Sequence, residues 1–278
     1  MRCALVIEYD GSGFNGWQHQ PAAANVQDCV EQALSRVADH DVKTVCAGRT
    51  DSGVHALAQV VHFDTVVERP AHSWRLGANT HLPPSISVVW AGAVADDFNA
   101  RFSARERTYR YLILNRSSRA AVEQTRAWSY PQCLDVRRMR EAAPLFLGKH
   151  DFSAFRAAGC QARTTQRTVS QLEVDAHGDH VVIQVAANAF LQNMVRIITG
   201  VLVTIGTGDR ETHWVDELLN HGDRTQGGVT VPACGLSLVR VRYPEEYGIP
   251  MPVSSFMKLG PDWYDGGDVH DGAGIVIA

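Results

Sequence analysis

No apolar run in this chain reaches transmembrane length. The longest candidate, FLQNMVRIITGVLVTIG, carries Arg196 and several polar residues, which argues against a membrane span. The N-terminal MRCALVIEYD has too short an apolar run for a secretory signal and reads as a strand. A cytoplasmic protein with no membrane partner is expected. Cysteines at metal or redox spacing are also missing. The six cysteines, at 3, 29, 46, 133, 160 and 234, contain no C-x-x-C pair. Most have apolar neighbours, so buried reduced thiols are expected rather than a zinc site or a disulfide framework. Net positive charge is lacking too, at −4. What remains is ordinary soluble composition, 45% hydrophobic and 20% charged over 278 residues. That length suits one large domain or two intimately packed ones.

The overall charge hides a strong asymmetry. Residues 101–167 hold 14 Lys/Arg against 5 Asp/Glu, a local +9, and the remainder carries −13. All but one of those 14 cations are arginines. Arginine presents a planar fork of donors that matches phosphate and can stack on bases. A polyanionic partner is therefore favoured over a basic surface neutralised by acidic neighbours, although the sequence leaves both open.

Periodicity gives the coarse organisation. Residues 2–9 alternate as a strand, and Asn25 is placed to cap a helix over 26–38 with Val26, Val30, Ala33, Leu34 and Val37 on one face. KTVCAG and AQVVHFDT read as strands joined by RTDSGVHA, followed by the strand SISVVWAGAV. TYRYLILN opens a second unit, in which Asp135 caps a helix from 136 to about 147 disturbed by Pro144. TVSQLEVDA and HVVIQVAA flank HGD as a hairpin. Helices over roughly 190–205 and around 213–220 precede a last strand, LSLVRVRY. Each half runs strand, helix, strand, strand. The expected class is α+β, with two similar β-α-β-β-type halves around a central, mostly antiparallel sheet. The expected units are 1–105, 106–245 and an extended tail over 246–278. In that tail Asp262, Asp265, Asp268 and Asp271 recur every third residue, which is not EF-hand spacing.

After the first strand, GSGFNG fits G-x-G-x-x-G with Gly11, Gly13 and Gly16. A dinucleotide site needs a helix starting at the third glycine, so that its N-terminus meets the pyrophosphate. Here WQHQPAAA follows, with Pro21 inside it, and the helix signal begins only near Val26. The acidic residue expected about 20 positions on would be Glu31, inside the helix. No nucleotide cofactor is expected. The stretch reads instead as a tight turn with positive φ at Gly11 or Gly13. Trp17, Gln18, His19 and Gln20 follow it, a mixture suited to bases and sugars.

The most informative string is CAGRTDSGVHA, residues 46–56. It links two strands through small residues and presents Arg49, Asp51 and His55. On extended backbone, Arg49 and Asp51 would project to one side and pair. A neighbouring guanidinium keeps a carboxylate ionised, and an ionised accessible carboxylate can act as nucleophile or base.

AGRTDSGVHA resembles the signature of the A-type tRNA pseudouridine synthases. IEYDGSGFNGWQHQ, NVQDCVEQAL, FNARFSARERTYRYLILN, HDFSAFR, NAFLQNMVRIITG and GLSLVRVRYP resemble further blocks of that family in the same order, over about residues 3–245. The resemblance implies an isomerase that converts uridine to pseudouridine at positions 38, 39 and 40 of the tRNA anticodon stem-loop, without metal or organic cofactor. It implies Asp51 as the catalytic aspartate, attacking either the sugar C1′ or the uracil C6. Tyr109 matches the active-site tyrosine, whose ring can stack on uracil and whose hydroxyl can take part in proton transfer. Leu236 matches an apolar residue packed against the target base. Arg49 would pair with Asp51 and fill the space left by a flipped uridine. Arg196 and Arg156 match family arginines, with Arg196 either aimed at Asp51 or held in a structural ion pair. The remaining arginines of 101–167 would contact phosphates. A cleft between the halves and a homodimer are also implied. The alternative from the residues alone is a non-catalytic RNA-binding module.

Overall fold

A computed structural model describes residues 1–250; the expected extended tail begins inside them with a 3-10 turn, Glu245–Tyr247, whose Tyr247 packs on Phe98, and the rest of the tail with its aspartates lies outside the described residues. One ten-stranded sheet runs through the molecule. Its strands are β1 (Arg2–Tyr9), β2 (Thr44–Cys46), β3 (His55–Asp64), β4 (Ile86–Val94), β5 (Glu106–Asn115), β6 (Trp128–Tyr130), β7 (Gly148–Asp151), β8 (Gln166–His177), β9 (His180–Ala187) and β10 (Leu236–Arg242). The order is β4-β1-β3-β10-β5-β9-β8-β7, with β2 on β3 and β6 on β5. Pairing is antiparallel except for β3–β10 and β5–β6. The fold is α+β, as expected. Within it, β4-β1-β3 and β10-β5-β9 repeat one arrangement. The opening strand of each triplet is central and the closing strand lies on the same flank.

Among the described residues five α-helices support the sheet: α1 (Val26–Ala38), α2 (Ala71–His81), α3 (Val136–Ala142), α4 (Met194–Gly206) and α5 (Trp214–His221). Helix α1 starts where its cap predicts, since Asn25 Oδ1 accepts the Asp28 N–H at 2.8 Å. Its buried face is Val26, Val30, Glu31, Ala33, Leu34 and Ala38, whereas Val37 is only half-buried. Asp135 caps α3, and Pro144 converts the continuation into a 3-10 turn, Ala143–Phe146. Helices α1 and α2 pack together with α2 on β4, and α3 packs on α4 and β8. One apolar core runs from Leu5 and Leu34 to Ile183 and Ile198. A small second cluster, including Leu112, Leu114 and Val182, lies under the 116–127 segment.

The junction of the two triplets is β3 against β10. There Ser237 faces His55 and Leu238 faces Ala56, while Leu238 also faces Tyr109 on β5. Residues distant in sequence, those before β3, those before β10 and those on β5, thus meet at one place.

Candidate active site

The 47–54 segment leaves β2 and is held on every side. Ala47 O accepts from Arg107 Nη2 at 2.9 Å. Gln59, fully buried, donates from Nε2 to Gly48 O at 2.6 Å and accepts the Gly48 N–H through Oε1 at 3.4 Å. The Thr50 and Tyr9 hydroxyls share a hydrogen bond of 2.8 Å. The Val54 N–H closes a turn onto Asp51 O at 3.1 Å, with Gly53 at φ +76°.

The glycine stretch forms the other wall. Gly11–Gly13 is a 3-10 turn capped by Asp10, and the next α-helix starts at Val26, so no helix N-terminus stands at Gly16. Gly11 and Gly13 do not have positive φ; Gly16 does, at +92°. The expectation placed the left-handed residue too early, because the strand exit is absorbed by the 3-10 turn. Close approach explains two of the three glycines. A Cβ on Gly11 would lie 2.0 Å from Val54 O, and one on Gly16 would lie 2.5 Å from Thr50 O. Trp17 N–H donates to Thr50 O at 3.0 Å and Gly53 N–H donates to Phe14 O at 3.2 Å. The Gly11 N–H donates to His55 Nδ1 at 3.0 Å. Asp10 Oδ1 lies 3.2 Å from the same nitrogen, and His55 Nε2 lies 2.7 Å from Thr125 O and 3.2 Å from Cys234 O. His55 therefore ties the glycine turn, the Asp51 segment and the entry to β10 together.

Asp51 is half-buried at this junction. Burial pushes its carboxyl above the ordinary aspartate range, and the Arg196 guanidinium and the Asn193 backbone pull it back. Desolvation wins. The sequence expectation that a guanidinium neighbour sets the carboxyl is corrected in sign, and of the two arginines expected there Arg196 rather than Arg49 acts on Asp51. Arg49 is exposed, and no ion pair joins it to Asp51. Arg196, on the first turns of α4, is anchored by Nε donating to Val231 O at 2.7 Å and Nη1 donating to Asn193 Oδ1 at 3.0 Å.

Tyr109 is buried on β5. Its ring meets Phe190 edge-on, with centroids 5.1 Å apart. A Cβ on Gly48 would lie 3.8 Å from its hydroxyl, which places that oxygen beside the Asp51 segment. Burial raises the Tyr109 hydroxyl above its usual range, and the charge of Asp51 adds to the rise. Tyr111, two residues on, donates its hydroxyl to Pro232 O at 2.7 Å and is a structural support. Leu236 is buried at the start of β10, opposite Tyr111. Arg156 is exposed outside this group; the N–H of Ala157 beside it donates to Gln192 O at 3.0 Å. The structure thus brings Asp51, Tyr109 and Arg196 together, sets Leu236 on the adjacent strand opposite Tyr111, and leaves Arg49 and Arg156 at the surface.

Sequence reasoning missed Asn193, Phe190, Gln59 and Arg107. Asn193 adopts φ +62° and starts α4, so NAFLQ is a loop that serves the site rather than the first turn of a helix. Arg107 is buried and donates to the carbonyls of Ala47, Arg101, Ala104 and Asn188. It is a strut and not a phosphate contact. Arg116, Arg126, Arg137, Arg138 and Arg140 of the basic segment pair with acidic residues. Exposed Arg101, Arg105, Arg119, Arg156 and Arg163 have no salt bridge among the described residues.

A family model described as tRNA pseudouridine synthase matches residues 5–103 and 142–244. The chain belongs to this family. It is 51% identical over 261 residues to tRNA pseudouridine synthase A of Pseudoalteromonas atlantica, covering 94% of this chain and 97% of that one. Identity to tRNA pseudouridine synthase A of Coxiella burnetii is 51% over 261 residues, covering 94% and 98%. For the protein of that name in Idiomarina loihiensis it is 48% over 263 residues, covering 95% and 99%. As a tRNA pseudouridine synthase the chain is an isomerase. The first matched segment spans β1, β3 and β4 with Asp51, and the second spans β9, β10 and α4 with Arg196, while β5 with Tyr109 lies between the two.

Proposed function

We propose that this chain isomerises uridine to pseudouridine in the tRNA anticodon stem-loop, at positions 38, 39 and 40, with Asp51 as the catalytic carboxylate. The observation that carries this reading is the convergence of a desolvated carboxylate, a fixed guanidinium and a buried tyrosine hydroxyl at the β3–β10 junction. The reaction breaks the bond from C1′ to N1 of uracil and forms one from C1′ to C5. The C5 proton is lost and N1 gains one, so nothing is oxidised, reduced or added. That chemistry calls for charge placed at the sugar or the ring, which Asp51 supplies. Tyr109 stacks on the uracil and its hydroxyl stands ready for proton transfer. Leu236 packs on the base. Arg196 offsets part of the cost that burial puts on the Asp51 charge. A uridine in or beside a stem must leave its stack, which costs a few kcal/mol. Exposed Arg49 is free to follow it and fill the gap, and Arg156 with the other unpaired arginines holds phosphates. The units 1–105 and 106–245 act as the two walls of the cleft, and a homodimer in the cytoplasm completes this reading.

A non-catalytic RNA-binding module does not need a carboxylate placed where burial opposes its charge. The test is an unmodified tRNA with uridine at 38 to 40, incubated with the protein and mapped chemically for pseudouridine. Product is expected from wild type. Asp51→Asn is expected to lose at least about 10³-fold in turnover, with tRNA affinity within about threefold. Wild-type turnover in that variant would remove Asp51 from its role.

A further inference from the structure

Phe102 is the one exposed Phe, Tyr or Trp among the described residues, with 78% of its surface open to water. Its turn is not loose. Asn99 Oδ1 accepts the N–H groups of Arg101 and Phe102 at 3.0 and 3.1 Å, and Ser103 N–H donates back to Asn99 O at 2.8 Å. The carbonyls on either side are held as well. Tyr243 donates its hydroxyl to Ala100 O at 2.6 Å, and Arg107 donates to Arg101 O at 2.6 Å and to Ala104 O at 3.3 Å. An apolar ring is thus presented to solvent on a fixed frame, the preorganisation that lowers the entropy cost of binding.

The same Arg107 Nη2 that holds Arg101 O also holds Ala47 O at 2.9 Å. The Phe102 turn therefore abuts the segment that carries Asp51 four residues on. The guanidinium of Arg101 lies 5.4 Å from the Phe102 ring centroid. Arg101 and Arg49 both act electrostatically on Cys46 beneath them, so the two cations share one neighbourhood. Arg105 is exposed on the same turn. An apolar ring among cations of one sign fits a ligand with flat apolar faces on an anionic backbone, which is a nucleic-acid strand. Membrane lipid offers no flat face, and a protein partner would need acidic and aromatic groups together.

We propose that Phe102, backed by Arg101, is a stacking platform for an unpaired RNA base next to the uridine that enters the Asp51 site. This rests on the reading of that site as a tRNA uridine isomerase. The base lies outside the reacting nucleotide, so Phe102 is a binding residue and takes no part in proton transfer.

The test measures tRNA affinity by fluorescence anisotropy and kcat/KM for pseudouridine formation in Phe102→Ala, Phe102→Leu and Phe102→Trp. Alanine is expected to weaken both by about tenfold, the middle of the range for losing one base stack. Leucine should not recover the loss, and tryptophan should restore both to within about twofold. A 2-aminopurine in the anticodon loop should be quenched by wild type and not by Phe102→Ala. The slope of log Kd against log salt should be unchanged in Phe102→Ala and fall by about one in Arg101→Ala. Alanine within twofold of wild type, or leucine equal to wild type, would overturn the platform. If wild type forms no pseudouridine while Kd still depends on Phe102, the isomerase reading falls and the platform stands.

Discussion

At the scale of single residues, the site is set by a contest between burial and charge at Asp51. Burial raises the carboxyl and Arg196 lowers it, with burial ahead. The reactive form is the carboxylate, so the acid limb of kcat/KM should lie above the pH at which an ordinary aspartate, near 3.9, loses its proton. Arg196→Met removes the opposing charge and should move that limb further up. A pH profile from 4 to 9 on both proteins decides the matter, and a limb that Arg196→Met does not move would break the link. The same shift has a stability consequence. A carboxyl raised by folding stabilises the fold only while protonated, and this contribution is lost as pH rises through the folded-state value. Above the ordinary aspartate value the raised carboxyl therefore opposes folding, and at pH 7.5 Asp51→Asn should melt higher than wild type. Each kcal/mol released is worth about 2–4 °C in a chain of this size. The difference should vanish below about pH 4, where both states bind the proton. Equal melting temperatures at pH 7.5 would mean that the carboxylate carries no such cost.

At the scale of elements, the turn after β1 and the Asp51 segment are one unit built by backbone contact. Gly11→Ala and Gly16→Ala should each destabilise by about 1–3 kcal/mol, because a Cβ at either site meets a carbonyl oxygen and Gly16 also has left-handed φ. Gly13→Ala has nothing within 4 Å and should be within about 0.5 kcal/mol of wild type. Urea titrations of the three variants test the contrast. The sequence pattern was readable where local chemistry decides the outcome, at the Asn25 cap and the Pro144 break; β1 and β5 form as strands, but both are buried on both faces rather than alternating. It was silent for α2, whose flank is Pro70 without a side-chain cap and whose buried residues are only Trp74 and Ala78. That helix is held by α1 and β4. Three- and four-residue strands such as β6 and β7 exist only because β5 and β8 offer them an edge. The site shows the same division. Asp51 and Tyr109 stand in strings that read clearly. Of the two arginines expected beside Asp51, Arg196 acts on it, delivered by tertiary packing from a helix far along the chain, while Arg49, its near neighbour in sequence, is exposed.

At the scale of the whole molecule, the last strand of the described residues lies near the middle of the sheet. β10 pairs with β3 on one side and β5 on the other, so the two triplets become one sheet only when residues 236–242 are in place. Pairings of this separation are slow to form, since loop closure precedes any reward. They also leave two strand edges open until the end of folding. A chain ending at residue 235 loses four buried side chains, Leu236, Leu238, Val239 and Val241. At about 1.5–3 kcal/mol each, that is roughly 6–12 kcal/mol. The total stability of a typical domain is about 5–15 kcal/mol, so the shortened chain should not hold its fold. A chain ending at residue 250 keeps β10 and the hydrogen bond from the Tyr243 hydroxyl to Ala100 O, and should fold. Near-ultraviolet circular dichroism and gel filtration distinguish the two. The longer chain is expected to be native-like and monodisperse. The shorter one is expected to lose its aromatic signal and aggregate through the exposed edges of β3 and β5. A monodisperse, cooperatively unfolding 1–235 chain would show that each triplet stands alone and that β10 only bridges them. Asp51 and Tyr109 would then have to be aligned by the Arg107 and His55 contacts, without the sheet between them.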